Sequence, residues 1–313
     1  MDTSLSEKEI IKAEAEKLGF CFSGFTLPEK PIHFSHYQEW VKAGRYAGMR
    51  YMAREDHLAK RENPRLIFPE CQSILVLGVS IRYDFPQELF AAASFAHYFD
   101  YHEQISALCD RLMATAAERI GKAVHWKTCV DSAPVLERSL AVQAGLGWIG
   151  RNSMLIHPKF GSTTLLAACL LDLAIEPDQP YRSDHCGNCR RCAEACPTGA
   201  IDPNSRTIDA NRCIAYQTIE NRAEIPQEIG KKCENKVFGC DICVRICPWN
   251  RKNLSNPSPL QTHSLPIAPP SDFELTEEEF KEKYRGTPIS RVKFAGWKRN
   301  LQNALRNQEK DPE

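Results

Sequence analysis

Cys186-Gly-Asn-Cys189-Arg-Arg-Cys192-Ala-Glu-Ala-Cys196-Pro197, with Cys240-Asp-Ile-Cys243-Val-Arg-Ile-Cys247-Pro248 further on, decides the reading of this chain. The first run is C-x2-C-x2-C-x3-C-P, a spacing that holds 4Fe–4S clusters in bacterial two-cluster proteins. Short spacers let three thiolates wrap one face of a cube. The fourth, set apart by a longer spacer and a proline, reaches the other cluster. The second run lacks its first cysteine, since Val237 stands where that ligand belongs, and Cys213 is the candidate replacement. One cluster is therefore assigned to Cys186, Cys189, Cys192 and Cys247, and the other to Cys196, Cys213, Cys240 and Cys243. Two clusters ligated crosswise make a two-step electron path. Zinc gives no reason for a Cys-Pro ending to each run. Disulfides belong to small secreted chains, whereas MDTSLSEKEI has neither a basic n-region nor an apolar h-region. Cys233, beside Lys231 and Lys232, reads as a solvated turn, with a swap for Cys213 left open.

Working outward, 313 residues accommodate a large domain and a small one, or two to three modest ones. Hydrophobic content of 42% and charged content of 26% are those of an ordinary globular protein. Net charge is zero, so a polyanionic partner must be met by a local patch. The most apolar run, residues 163–175, is broken by Asp172 and falls short of the ~20 residues a membrane span needs. A cytoplasmic protein with no membrane partner is expected, and no heptad or long apolar stripe asks for oligomerisation, so a monomer is expected too. Cys21, Cys71, Cys109, Cys129 and Cys169 stand singly among apolar neighbours and read as buried thiols.

Upstream of the cysteines, elements alternate. Residues 6–18 have a helical period with Ser6 as cap, and residues 21–25 read as a short strand. Residues 36–52 look helical, followed by a polar connection where Arg54, Arg61 and Arg65 form either a solvated face or a phosphate contact. Residues 73–82 form an apolar, β-branched run of strand length, consistent with burial on both faces. A helix over 98–120 and a strand over 124–130 follow, the latter delivering Asp131. A further helix is expected from Ser132, with Pro134 in its first turn. This alternation suggests an α/β or α+β domain around a ligand.

Gly145-Leu-Gly147-Trp-Ile-Gly150 matches a dinucleotide-binding expression, but it follows a helix and feeds a polar loop, the reverse of the required context. The glycines read instead as a sharp turn with close backbone approach. The loop beyond, with Asn152, Ser153 and His157, concentrates donors and acceptors, and His157 beside a proline is equally consistent with a structural role. Asp131 is either a helix N-cap or a strand-end proton donor whose pKa burial would raise, and both roles can coexist.

After the clusters, residues 253–271 are rich in proline, serine and asparagine and read as an irregular connection. Between Lys281 and Arg306 the chain is strongly basic, with Phe294 and Trp297 interleaved. This is either a solvated helix face or a nucleic-acid backbone contact.

Taken together, Val130-Asp131-Ser132-Ala133-Pro134-Val135-Leu136-Glu137-Arg138, Gly145-Leu-Gly-Trp-Ile-Gly150, Asn152-Ser-Met-Leu-Ile156 and the paired cluster motifs around Cys213-Ile-Ala-Tyr-Gln-Thr-Ile-Glu220 closely resemble the epoxyqueuosine reductases. The resemblance runs from Tyr51-Met-Ala-Arg54 to Arg285-Gly-Thr-Pro-Ile-Ser-Arg291. It implies an α+β fold: a cobalamin- and substrate-binding catalytic domain over residues 1–177, a ferredoxin-like domain with two 4Fe–4S clusters over 178–255, and a basic helical segment over 256–313. It implies an oxidoreductase that removes the epoxide oxygen of epoxyqueuosine at the tRNA wobble position, with a low-potential donor such as ferredoxin or flavodoxin. The family's proton donor falls on Asp131, which then needs an apolar or anionic setting to stay protonated. Arg54, Asn152, Ser153 and His157 join Asp131 as expected cobalamin contacts. Arg222, Lys236, Arg291, Lys293, Lys298 and Arg299 are the expected tRNA contacts. Longer family members continue into C-terminal helical repeats, whereas this sequence ends at Glu313, so more of the tRNA grip would fall on those cations. A dehalogenase-like reductase of a small molecule, a ferredoxin-like electron carrier and a non-catalytic iron–sulfur RNA-binding protein remain as alternatives at this point.

Overall fold

The computed structural model describes residues 5–85 and 89–309. Residues 1–4, on which part of the N-terminal reading rests, and the closing residues up to Glu313 lie outside the described residues.

The strand Ser73–Ser80 is buried along its whole length. It lies between Phe22–Thr26 and Thr164–Leu171, and Trp126–Cys129 completes a four-stranded sheet beyond the latter. Every neighbouring pair is antiparallel, with Leu75 opposite both Phe25 and Cys169. The pairing settles the class as α+β. Side chains alternate across a strand, so one face presents Leu75, Leu77 and Val79 to Ile11 and Ala15 of the helix Glu7–Lys17 and to Ile105, Leu112 and Met113 of the helix Tyr101–Ile120. The other face sends Ile74, Val76 and Leu170 against Leu140 and Ala141 of the helix Glu137–Gln143. Each fully buried leucine or isoleucine contributes about 2 kcal/mol by leaving water. The first helix begins as expected: Ser6 accepts from Glu9 N–H, and the Glu9 carboxylate accepts from Ser6 N–H at 2.8 Å.

Three expectations need correction. Residues 36–52 are not one helix: Phe34–Lys42 is helical, and Gly44, with φ +66°, ends it before a short 3-10 turn at Arg50–Ala53. No helix starts at Ser132. Pro134 disfavours helical geometry at Ala133, and tight turns closed by Ser132 N–H to Val130 O (2.5 Å) and Val135 N–H to Ala133 O (2.8 Å) delay the helix to Glu137. Arg61 is 6% exposed, 5.2 Å from the Tyr37 ring centroid, and Arg65 donates to the Pro28 and Cys71 carbonyls, so neither offers its charge to phosphate.

The glycine turn matches expectation. Gly145 and Gly147 have φ of +78° and +142°, and a Cβ at Gly147 would stand 2.1 Å from Ile156 O. Downstream, the short helices Arg191–Glu194 and Ile242–Arg245 pack together, each on a cysteine run. The C-terminal helix Lys293–Gln308 buries Trp297, Leu301 and Ala304 against Phe280, Tyr284, Val237 and Phe238, tying the tail to the cysteine-rich segment. No helix among the described residues is long and apolar enough to cross a membrane.

Candidate active site

The C-terminal end of the edge strand Trp126–Cys129 and the N-terminal end of the helix Tyr101–Ile120 meet at one rim of the sheet. The strand delivers Asp131, whose φ of +54° places it in the left-handed region, which aspartate tolerates better than most residues. Such strain collects at functional sites. Asp131 is therefore a strand-end carboxylate and not a helix N-cap. From the helix come Tyr101, whose hydroxyl donates to Asp131 Oδ2 at 3.0 Å, and His102, whose Nε2 lies 3.3 Å from the same oxygen. Asp100 caps the helix by accepting from His102 N–H at 2.9 Å, and its carboxylate lies 2.8 Å from His102 Nδ1. The Tyr101 and His102 rings stack at 4.0 Å.

The electrostatics correct one expectation. The hydrogen bond with His102 holds the Asp131 carboxyl below its ordinary value, against the effect of burial, so this carboxylate is ionised. Burial would lower His102, but its bonds to Asp100 and Asp131 outweigh that and raise it to about 9. The proton of the pair resides on the imidazole at neutral pH. The Asp131 side chain is 70% exposed, so its carboxylate is open to solvent beside Tyr101 and His102. Tyr51 and Arg291 lie within electrostatic reach of it. Sequence reading missed Tyr101, His102 and Tyr51; an Asp-Tyr-His run at a helix start was the available signal for the first two.

The eight assigned cysteines are all free thiols, and charge interactions link several of them. Cys247 feels the charges of Cys186, Cys189 and Cys192. Cys213 feels Cys196, and Cys243 feels Cys240 and Cys213. Their surroundings suit iron–sulfur clusters. Backbone N–H groups of Ala193, Ala200, Ile242 and Trp249 point at the sulfurs of Cys192, Cys196, Cys240 and Cys247. Such bonds stabilise bound thiolates and tune cluster potential. Trp148, Trp249 and Tyr181 wall the Cys186–Cys247 side, where the Trp148 Nε1–H is buried without a partner. Cys233 is no solvated turn. It is 0% exposed beside Cys240 and Cys213, and burial pushes its thiol up to about 11.

The other site residues divide. Asn152 Nδ2–H donates to Cys243 O at 3.3 Å, joining the donor-rich loop to the second cysteine set. Ser153 Oγ–H donates to Arg206 O at 2.6 Å. His157 stacks on Phe22 at 4.6 Å, and its Nδ1 accepts from Lys159 N–H at 3.1 Å; burial lowers it to about 4, so it is a neutral structural histidine. Arg54 is exposed and paired with Asp56. Of the basic residues, Arg299 requires correction: 9% exposed, it donates to the Asn221, Ala223 and Gln217 carbonyls. Lys298 likewise turns to Phe273 O, Arg222 bonds the Ile219, Val292 and Arg291 carbonyls, and Lys236 pairs with Glu234. Cations spent on protein oxygens are not available to phosphate. Lys293 is exposed, and Arg291 is exposed but paired with Glu220 at 2.8 Å.

An α+β body with a cysteine-rich segment spaced for two clusters and a His–Asp pair at a sheet rim has the parts of an iron–sulfur oxidoreductase. Residues 185–250 match the family model described as a 4Fe-4S double cluster binding domain, and residues 61–132 match that described as Epoxyqueuosine reductase QueG, DUF1730. An epoxyqueuosine reductase of Cellulophaga algicola is 36% identical, over 96% of this chain and 99% of its own. An epoxyqueuosine reductase solved with an epoxyqueuosine-modified tRNA-Tyr stem loop superposes with a TM-score of 0.83 at 26% identity, covering 97% of this chain and 82% of its own. The Bacillus subtilis enzyme, solved with its aspartate-bearing catalytic loop swung out of the active site, superposes with a TM-score of 0.82 at 25% identity, over 98% and 86%. The chain belongs to the epoxyqueuosine reductase family.

Proposed function

We propose that this protein reduces the epoxide of epoxyqueuosine in a tRNA anticodon stem-loop to give queuosine, with Asp131 and His102 supplying a proton to the departing oxygen. The observation that carries this reading is the contact of His102 Nε2 with Asp131 Oδ2 at 3.3 Å, in a chain that also carries a double-cluster cysteine segment. Arg291 borders Asp131 and pairs with Glu220, which ends the helix Ile214–Ile219 that starts directly after Cys213. That helix is about 9 Å long by its residue count.

Residues 1–177 form the cofactor and substrate body, and residues 178–255 carry the clusters. Electrons enter from a low-potential carrier such as ferredoxin or flavodoxin; the exposed Arg182, Arg190 and Arg191 around the Cys186–Cys192 loop suit an acidic one. The cofactor implied by the family, cobalamin, would supply a strongly reducing centre at the carbon bearing the epoxide. Asn152, Ser153 and His157 are committed to protein groups, so cobalamin would meet mainly the backbone of that loop and the recess around Asp131 and Tyr101. Tyr101 fixes the carboxylate, and His102 holds the proton against it. Arg291 and Lys293 face the tRNA backbone. The protein works in the cytoplasm as a monomer.

The test is anaerobic turnover of epoxyqueuosine-containing tRNA by cluster-replete protein and a low-potential reductant, with and without cobalamin, read by nucleoside mass spectrometry. Queuosine is expected only with cobalamin. None, despite intact clusters and bound cobalamin, would redirect the reading to a small-molecule reductase.

A further inference from the structure

The glycine turn has no task in the scheme above, yet it delivers Trp148 to the cysteines. Gly147, with φ +142°, lets the chain pass against Ile156 O, and Trp148 then pairs with Ile156 in a short antiparallel strand. Its side chain is 4% exposed and packs on Cys247 and Cys186 together with Ile156, Tyr181 and Trp249. Two bridges clamp this stretch to the Cys186 loop. Arg206 donates to Ile149 O at 3.1 Å and to the Asp184 carboxylate, which in turn accepts from Cys186 N–H at 2.9 Å. Arg151 donates to Pro203 O and, at 2.6 Å, to Gly187 O, one residue beyond Cys186. Inside this fixed wall the Trp148 Nε1–H is sealed from water and meets no protein acceptor. A buried donor left unpaired costs a fold its full desolvation, so each such group calls for a partner. The neighbouring rings do not supply one. The Tyr181 hydroxyl is engaged with His185 Nε2 at 2.9 Å, and Trp249, with its ring centroid 4.9 Å away at 78°, offers at most the weak acceptor of an aromatic face. What remains against Trp148 is sulfur: that of Cys186 and Cys247, and that of the cluster assigned to them.

We propose that the Trp148 Nε1–H donates to a sulfur of the cluster assigned to Cys186, Cys189, Cys192 and Cys247, and so raises the potential at which that cluster accepts an electron. The inference rests on the two-cluster assignment and not on the identity of the substrate. Reduction adds one electron, taken from the external low-potential carrier, and moves no atom and no proton. The added negative charge falls partly on sulfur, and a hydrogen bond to sulfur strengthens as that charge grows. Trp148 therefore holds the reduced state more firmly than the oxidised one, and the potential rises. The backbone N–H of Trp249, which points at the sulfur of Cys247, acts in the same direction. Arg151, fixed on Gly187 O, sets a positive charge beside the same loop. Trp148 adds a donor from outside the cysteine segment, so the catalytic body itself tunes the electron path that feeds it.

Two measurements test this on the full-length, cluster-replete protein, and neither needs substrate. Potentiometric titration followed by low-temperature EPR resolves the reduction of each cluster. Trp148→Phe keeps an aromatic ring and removes the N–H. It is expected to disfavour reduction of one cluster about tenfold, about 59 mV for a one-electron couple, while the other keeps its potential and iron stays at about eight atoms per chain. Pulsed EPR of reduced wild-type protein with isotope-labelled indole nitrogens should show a nitrogen coupling on the cluster of the affected potential, and Trp148→Phe should lack it. Should Trp148→Phe fail to fold, labelled Trp249→Phe, in which Trp148 is the indole left at this wall, still shows or lacks the coupling. Unchanged potentials in iron-replete Trp148→Phe, equal shifts of both clusters, or a coupling that is missing in the wild type or survives in Trp148→Phe would each overturn the inference. Iron for a single cluster in the wild type overturns the cluster assignment on which it rests. A wild type that keeps both clusters but does not reduce epoxyqueuosine in tRNA overturns the functional reading instead, and leaves the titration to decide the role of Trp148.

Discussion

His102 stands between two carboxylates, its Nδ1 2.8 Å from Asp100 Oδ1 and its Nε2 3.3 Å from Asp131 Oδ2. Asp100 is fixed by capping the helix that carries His102, so the imidazole is oriented from behind and aims its second nitrogen at the recess. An imidazole with both nitrogens facing carboxylates is stabilised as the cation. Its proton is available through the neutral range, and it is lost as pH rises through about 9. His102→Gln, which keeps a hydrogen-bonding side chain but cannot carry the charge, is expected to lower single-turnover rate by about tenfold to a hundredfold. It should also remove the alkaline break that His102 causes. Rates measured across the alkaline range for both proteins check this, and an unchanged profile would deny His102 the proton.

Asp131→Asn should leave the fold, iron content and cobalamin binding intact while costing about a hundredfold or more in turnover. The amide can still accept from Tyr101, so geometry is largely preserved. What is lost is the anion that binds the imidazolium and the oxygen that carries its proton forward. In the same variant His102 should titrate lower, since Asp131 no longer raises it, and that shift is readable by NMR of the imidazole carbon protons.

Cys213 and Cys233 both lie beside Cys240, and only one can complete the second cluster. Cys213 feels the charge of Cys196, whereas Cys233 feels Lys236 and Arg299 besides Cys240 and Cys213. Cys213→Ser is expected to lower iron from about eight to about four atoms per chain and to abolish reduction, while Cys233→Ser keeps about eight. Iron analysis with low-temperature EPR of the reduced proteins distinguishes the two, and the reverse result would exchange their assignments.

Why the sequence disclosed some of this and not the rest follows from the reach of each interaction. The double-cluster segment is marked by local spacing, so the motif from Cys186 to Cys196 was readable in one line. The buried strand at residues 73–82 was legible because a sheet strand covered on both sides must be apolar throughout. The strand-end position of Asp131 was legible, but its contact with His102 was not, because His102 reaches it only through packing of the helix Tyr101–Ile120 on the sheet. The delayed helix start at Glu137 follows from backbone turns that composition does not report. In the tail, counting charges hid the spacing of Trp297, Leu301 and Ala304, which already marks one buried helix face. Arg299 was beyond reach, since its partners are carbonyls of Gln217, Asn221 and Ala223, remote in sequence.

That last distinction gives a pair of substitutions with opposite signatures. Arg299→Ala leaves buried carbonyls without donors and is expected to destabilise the fold by about 3 kcal/mol, lowering the melting temperature. Any loss of tRNA binding in it should track the loss of folded protein. Lys293→Glu changes an exposed side chain and should leave the melting temperature nearly unchanged. If the cation neutralises a phosphate, its reversal weakens tRNA binding and flattens the dependence of affinity on salt by about one contact. Arg291→Gln sits between these cases, because Arg291 both pairs with Glu220 and borders Asp131, so binding and turnover should fall together. Binding isotherms at several salt concentrations beside thermal melts resolve the three. Equal salt slopes for wild type and Lys293→Glu would remove Lys293 from the phosphate contacts and leave tRNA recognition to the rim of the recess.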